Sequence, residues 1–280
     1  NSNLFMQKIL IEDNNGVALY YDYGPENGGF FADDCNFRRH KNYRDLNLGA
    51  VHVSRYGGAT IMYNWIEEND GDGMHVVRAH EGVRNVPGST HIFQGYSRNN
   101  KGTGLKLYYT SAVVHDFSLY DNEGDGLKAA NVAEINISNL NIYNNGHQIT
   151  CYDGDFNLFN SVVYSETENN VWSGIHAANI TIDHSFVTGG RAVIESKFDG
   201  TYGTLVWGDN NLPVDTKIEH ELDTITLDSP LRNAGSVALR SVVTDRSETA
   251  VGIELDIGVY EYQVDPDSDG DGLLDGEEAN

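Results

Sequence analysis

The chain repeats a turn-and-strand unit: Asn, any residue, Gly, any residue, Gly, then an apolar-any-apolar triplet. Three full copies start at Asn69, Asn100 and Asn122, and looser ones at Asn144 and Asn170. The first apolar positions of the triplets, Met74, Leu105, Leu127, Ile149 and Ile175, are 31, 22, 22 and 26 residues apart. That period is too long for a hairpin and belongs to a solenoid, in which each unit is one coil. Asn, Asp and Gly make the turn and the alternating triplet makes the strand. No stretch carries the helical periodicity that a crossover helix needs, so a doubly wound sheet is disfavoured. The expected fold is all-β, a right-handed parallel β-helix. Coils are expected over residues 1–200, closing coils over 201–264 and an acidic tail over 265–280.

Charge narrows the partners. With 42 acidic against 18 basic residues and a net charge of −24, the chain lacks the basic surface that attracts nucleic acid or anionic membranes. No apolar run reaches the ~20 residues of a membrane-spanning helix. Cys35 and Cys151 fall several coils apart, too far for a disulfide, and are expected to be core thiols. The opening at Asn1, with no charged-then-apolar leader, leads us to expect a removed signal or a longer parent chain.

The tail holds the sharpest local motif. Residues 267–278 read DSDGDGLLDGEE, which puts Asp267, Asp269, Asp271, Leu273, Asp275 and Glu278 at positions 1, 3, 5, 7, 9 and 12 of an EF-type loop, with Gly272 at the sharp turn. Carboxylates at those positions and a backbone carbonyl at the seventh are what Ca²⁺ requires. Calcium is therefore the expected cofactor.

Several segments resemble known families. The coil repeat is similar to the secreted right-handed β-helix proteins of the carbohydrate-binding and sugar-hydrolysis type. The tail resembles thrombospondin type 3 and dockerin-like calcium repeats, which implies a structural ion and an extracellular location. Residues 229–235 and 256–262 resemble the closing segment of the bacterial and archaeal "choice-of-anchor" proteins, which implies a secreted or cell-surface protein with an anchor beyond Asn280.

Alternation also writes a surface. The middle residue of each triplet points outward, giving a column of His75, Lys106, Lys128, Thr150 and His176, with His52 and Tyr20 upstream. Two lysines stacked at the ~4.8 Å strand spacing repel each other, which suggests an anion between them. Two residues on, Ser54, Val77, Tyr108, Ala130, Tyr152 and Ala178 form a second column; a step further lie Arg55, Arg78, Tyr109, Asn131, Asp153 and Asn179. Arginine grips carboxylates and tyrosine stacks on sugars, so the surface suits an acidic polysaccharide.

For a polysaccharide lyase, Lys106 or Lys128 is the candidate base, His75 or Tyr108 the acid, and His52, Arg55, Arg78, Tyr152 and His176 the substrate contacts. A glycoside hydrolase would use paired carboxylates; its candidates, Asp70 with Asp72 and Glu123 with Asp125, fall in the repeated turns. A non-enzymatic adhesin, stalk or self-assembling filament subunit fits the same coils.

Overall fold

The computed structural model describes residues 4–22, 29–41, 48–54, 58–77, 90–132, 134–198, 203–214, 216, 218, 225, 228–236 and 255–259. Among them the chain winds as a parallel β-solenoid of about seven coils with three faces. Face one begins with Leu4–Gln7, Gly29–Asp33 and Gly58–Met62 and ends with Thr204–Trp207; face two begins with Leu10–Glu12, Asn36–Arg38 and Trp65–Glu67. Face three holds Leu19–Asp22, Gly49–Ser54, Asp72–Val77, Leu105–Tyr108 and Asp125–Ala130, followed by the opening halves of His147–Phe159 and Trp172–Asp183. All pairings are parallel, as the repeat predicts. Among the described residues helix is confined to Gly190–Glu195 and one 3₁₀ turn, Glu168–Asn170.

Inward side chains stack coil upon coil. On face three Val51, Met74, Leu105, Leu127, Ile149 and Trp172 form one fully buried column and Val53, Val76, Leu107, Ala129, Cys151 and Ile175 the next. Cys35 and Cys151 are both buried free thiols. Each buried Leu, Ile or Val contributes about 1.5–3 kcal/mol.

Corners are made by single left-handed residues, most of them not glycine. Asp34, Tyr63, Gln94, Asp116, Asn139, Asn160 and His184 turn face one into face two, and Arg39, Glu68, Asn99, Asp121 and Asn144 turn face two into face three, at φ between 46° and 58°. The chain bends there without losing its ladder, because each corner N–H at Tyr63, Glu68 and Asn99 still donates to the next coil.

The repeat's Asn and second Gly are coupled across coils. Asn69, Asn100, Asn122 and Asn145 form a buried ladder in which each amide side chain accepts from the main-chain N–H of the one before. A Cβ on Gly104 would lie 2.8 Å from the Asn122 amide nitrogen, and one on Gly126 2.7 Å from that of Asn145. Each second glycine clears the space that the next coil's asparagine fills. In the fourth copy the ladder residue is Asn145 rather than Asn144, which is the left-handed corner. His40 takes the ladder position one coil before Asn69, its Nε2 3.0 Å from the Ile11 carbonyl and its main-chain N–H on Asn69 Oδ1.

Residues 229–236 and 255–259 dock on the outside of the late coils. Asn160 exchanges hydrogen bonds with Ser236, Asn139 donates to the Gly258 carbonyl, and Leu231 and Ile257 pack on Tyr143, Val162 and Phe186. The residues of the expected calcium loop, Asp267 to Glu278, lie outside the described residues, as do Arg55 and Arg78.

Candidate anion-binding face

Face three carries the outward columns in register. Tyr20, His52, His75, Lys106, Lys128 and Thr150 occupy successive coils of the first column, as alternation predicts. The second column runs Asp22, Ser54, Val77, Tyr108, Ala130, Tyr152 and His176.

His176 is thus one column away from the place its triplet suggests. Trp172, not Ile175, lies level with Ile149, and Ile175 lies level with Cys151, with a register shift between them. A fully buried Trp172 fills the core slot that the motif reserves for a smaller apolar residue. Ser173 then faces outward and its hydroxyl bonds Thr150. Ala178 and Asn179 move to Gly154 and Asp155, the latter pair hydrogen-bonded on face one at 2.8 Å.

The two lysines differ in their surroundings. Lys106 Nζ is ion-paired with Asp72, whose other oxygen accepts the Thr103 main-chain N–H at 2.7 Å; the two side chains are 13% and 11% exposed. The charge of Lys106 is thereby compensated within the protein, which relieves the repulsion expected between stacked lysines. Lys128, partly exposed, has no ion-pair partner among the described residues.

Tyrosines and histidines frame these cations. His52 and His75 are only 5% and 3% exposed. Tyr20 stacks on His52 at 5.1 Å, His52 meets His75 edge-on at 4.9 Å, and Tyr108 meets His75 edge-on at 5.2 Å. Burial holds His52 below its ordinary range, against the pull of Asp22, so it stands neutral. Burial pushes the Tyr108 phenol up to about 12, with Asp72, Asp125 and Tyr152 adding to the rise.

The hydrolase candidates are engaged in turn and face contacts. Asp70 pairs with Lys101 at 2.7 Å, Asp72 with Lys106, and Asp125 lies 3.3 Å from His147. Among the described residues no three His, Cys, Asp or Glu side chains are grouped to hold a metal ion.

Face two shows a feature that pattern reading missed. Glu12, Arg38, Glu67 and Arg98 alternate in sign up one column, continued by Tyr120 and Tyr143. Arg98 bonds Glu67 at 2.8 Å and lies 4.8 Å from the Tyr96 ring. Every charge in this strip has an opposite neighbour, so it knits coils together. Only the coil phase reveals it, because its members are more than 20 residues apart in sequence.

No family model and no curated protein matches the chain. Among solved structures, the pectate lyase Pel9A aligns over 92% of this chain and 88% of its own, at 12% identity and a TM-score of 0.48. The site assignment therefore stands on this chain's own geometry.

Proposed function

We propose that face three binds an acidic polysaccharide, anchored at Lys128. The observation that carries this reading is one partly exposed cation without an ion-pair partner among the described residues, beside two tyrosines, on a protein of net charge −24. His75 packs behind Tyr108 and His52 between Tyr20 and His75, both buried rather than meeting the ligand, and Lys106 is held by Asp72. Lys128→Ala is expected to weaken binding of a polyuronate oligosaccharide about ten- to a hundredfold, the worth of one charge-assisted contact. Calorimetric titration checks this, and unchanged affinity would remove Lys128 from the site. Because distant acidic residues repel a polyanion, raising salt from low to moderate concentration should not weaken binding as it does for basic proteins.

A second reading, polysaccharide lyase, is favoured by Tyr108 standing on the rung next to Ala130, on the same outward side as Lys128. In such an elimination a base takes the proton beside the uronate carboxylate, the bond to the leaving sugar oxygen breaks, and that oxygen takes a proton. In that reading Lys128 acts in its unprotonated form as the base instead of as the anchoring cation, and Tyr108 is the donor. New ultraviolet absorbance from unsaturated product would assign the lyase; retention of the glycan without that signal assigns a binding module.

We further propose that the protein works outside the cell or on its surface and that the tail holds a structural Ca²⁺. Asp267, Asp269, Asp271, Asp275 and Glu278 with the Leu273 carbonyl supply the hard oxygen donors this ion prefers. Calcium titration is expected to give one bound ion per chain, lost in the double substitution Asp269→Asn with Asp271→Asn. Equal calcium uptake by that variant would contradict the assignment.

A further inference from the structure

We infer that Ala130 is the floor of a subsite for a single monoanionic pyranose, its charged group on Lys128; this rests on the glycan-binding reading above. Tyr108, Ala130 and Tyr152 occupy three successive rungs of one outward column. The two tyrosines therefore stand about 10 Å apart, twice the strand spacing, with only a methyl group between them. Tyr108 leans onto His75 in the coil before. Tyr152 lies against Gly174 in the coil after, where a Cβ would come 3.6 Å from its hydroxyl. Both rings lean away from Ala130 and leave a notch above it.

A ring held between two others needs about twice 4.5–5 Å, and two rungs with the tyrosines leaning apart provide at least that. Lys128 lies two residues earlier on the same strand and points to the same side. The notch is thus bounded by two amphipathic phenols, floored by a small side chain and served by one cation. The nearby charges Lys106 and Asp72 neutralise each other. Asp125 is engaged with His147, and Asp153 sits at the corner beyond Tyr152. Among the described residues, one available positive charge beside acidic neighbours matches one negative charge per sugar ring, the pattern of a uronate rather than of a densely sulfated glycan.

Filling the notch tests this without touching the cation. Ala130→Tyr completes a tyrosine ladder at an outward strand position, a change that sheets accept, so the melting temperature should not fall. Titration with a polyuronate oligosaccharide, its methyl ester and a sulfated glycan should show at least tenfold weaker polyuronate binding by Ala130→Tyr. The native protein should bind the uncharged ester and the sulfated glycan more weakly than the polyuronate. Should Ala130→Tyr fold poorly, Ala130→Val is the smaller filler, and it should cost about threefold.

Native-like affinity in a folded filler variant, with binding lost in Lys128→Ala, would overturn the notch while leaving the anion site in place. Native-like affinity in Lys128→Ala would overturn both. Equal binding of the ester, or tighter binding of the sulfated glycan, would overturn the monoanionic assignment.

Discussion

Replacing Asn122 by leucine is expected to destabilise the solenoid by about 4 kcal/mol, although the two side chains are close in size. Asn122 is buried in the middle of the amide ladder. Its Oδ1 accepts from the Asn100 main chain at 3.1 Å and from the Asn100 amide at 2.9 Å. Its Nδ2 donates to the Ser97 carbonyl at 3.0 Å and to Asn145 Oδ1 at 2.8 Å. Leucine leaves these partners without their bonds where water does not reach, and each orphaned group costs about 1–3 kcal/mol. The melting temperature should fall by roughly 8–16 °C at 2–4 °C per kcal/mol. Asn100→Leu should behave similarly, and the double variant should cost about 1 kcal/mol less than the sum, since the bond between the two is lost once. Strict additivity in thermal melts would argue against a connected ladder.

The second large effect lies at the corner after face three. Gly154 has φ of 110°, and a Cβ there would meet the Val132 carbonyl oxygen at 1.9 Å. Gly154→Ala is expected to cost about 3 kcal/mol or more, from a disfavoured conformation and from main chain that must shift. Gly16 provides the control: its φ is 112°, but no atom lies within 4 Å of an added Cβ. Gly16→Ala should cost only the conformational part, about 1–2 kcal/mol. Equal losses in the two variants would show that the collision at Val132 relaxes freely.

Both predictions come from contacts between coils, and that is where pattern reading met its limit. The Asn-Gly-Gly spacing contains the coil length, the parallel pairing and the outward column from Tyr20 to Thr150, because a strict period of two decides which face a side chain takes. It does not contain the fifth rung: Trp172 is apolar enough to enter the core, and its entry shifts the register and moves His176 one column over. Nor does it show that the fourth copy slides by one residue. Asn144 and Asn145 are chemically identical, and only the ladder distinguishes them.

The corners were hidden for another reason. Tyr63, Gln94 and Arg39 adopt left-handed geometry that a local reading assigns to Gly or Asn; the recovered ladder bonds hold them there. At the site, Lys106 and Lys128 read as equivalents in a column, while the Asp72 carboxylate that separates their roles arrives from the preceding coil. The gap at Ala130 has no signature at all until Tyr108 and Tyr152 stand on either side of it.

The most direct measurement of the account is a crystal structure of the protein with a uronate trisaccharide. The predicted result is one pyranose ring over Ala130, between Tyr108 and Tyr152, with its carboxylate within hydrogen-bonding distance of Lys128 Nζ. A trisaccharide seated instead on the Glu12–Arg98 strip of face two, or away from Lys128 on face three, would contradict it.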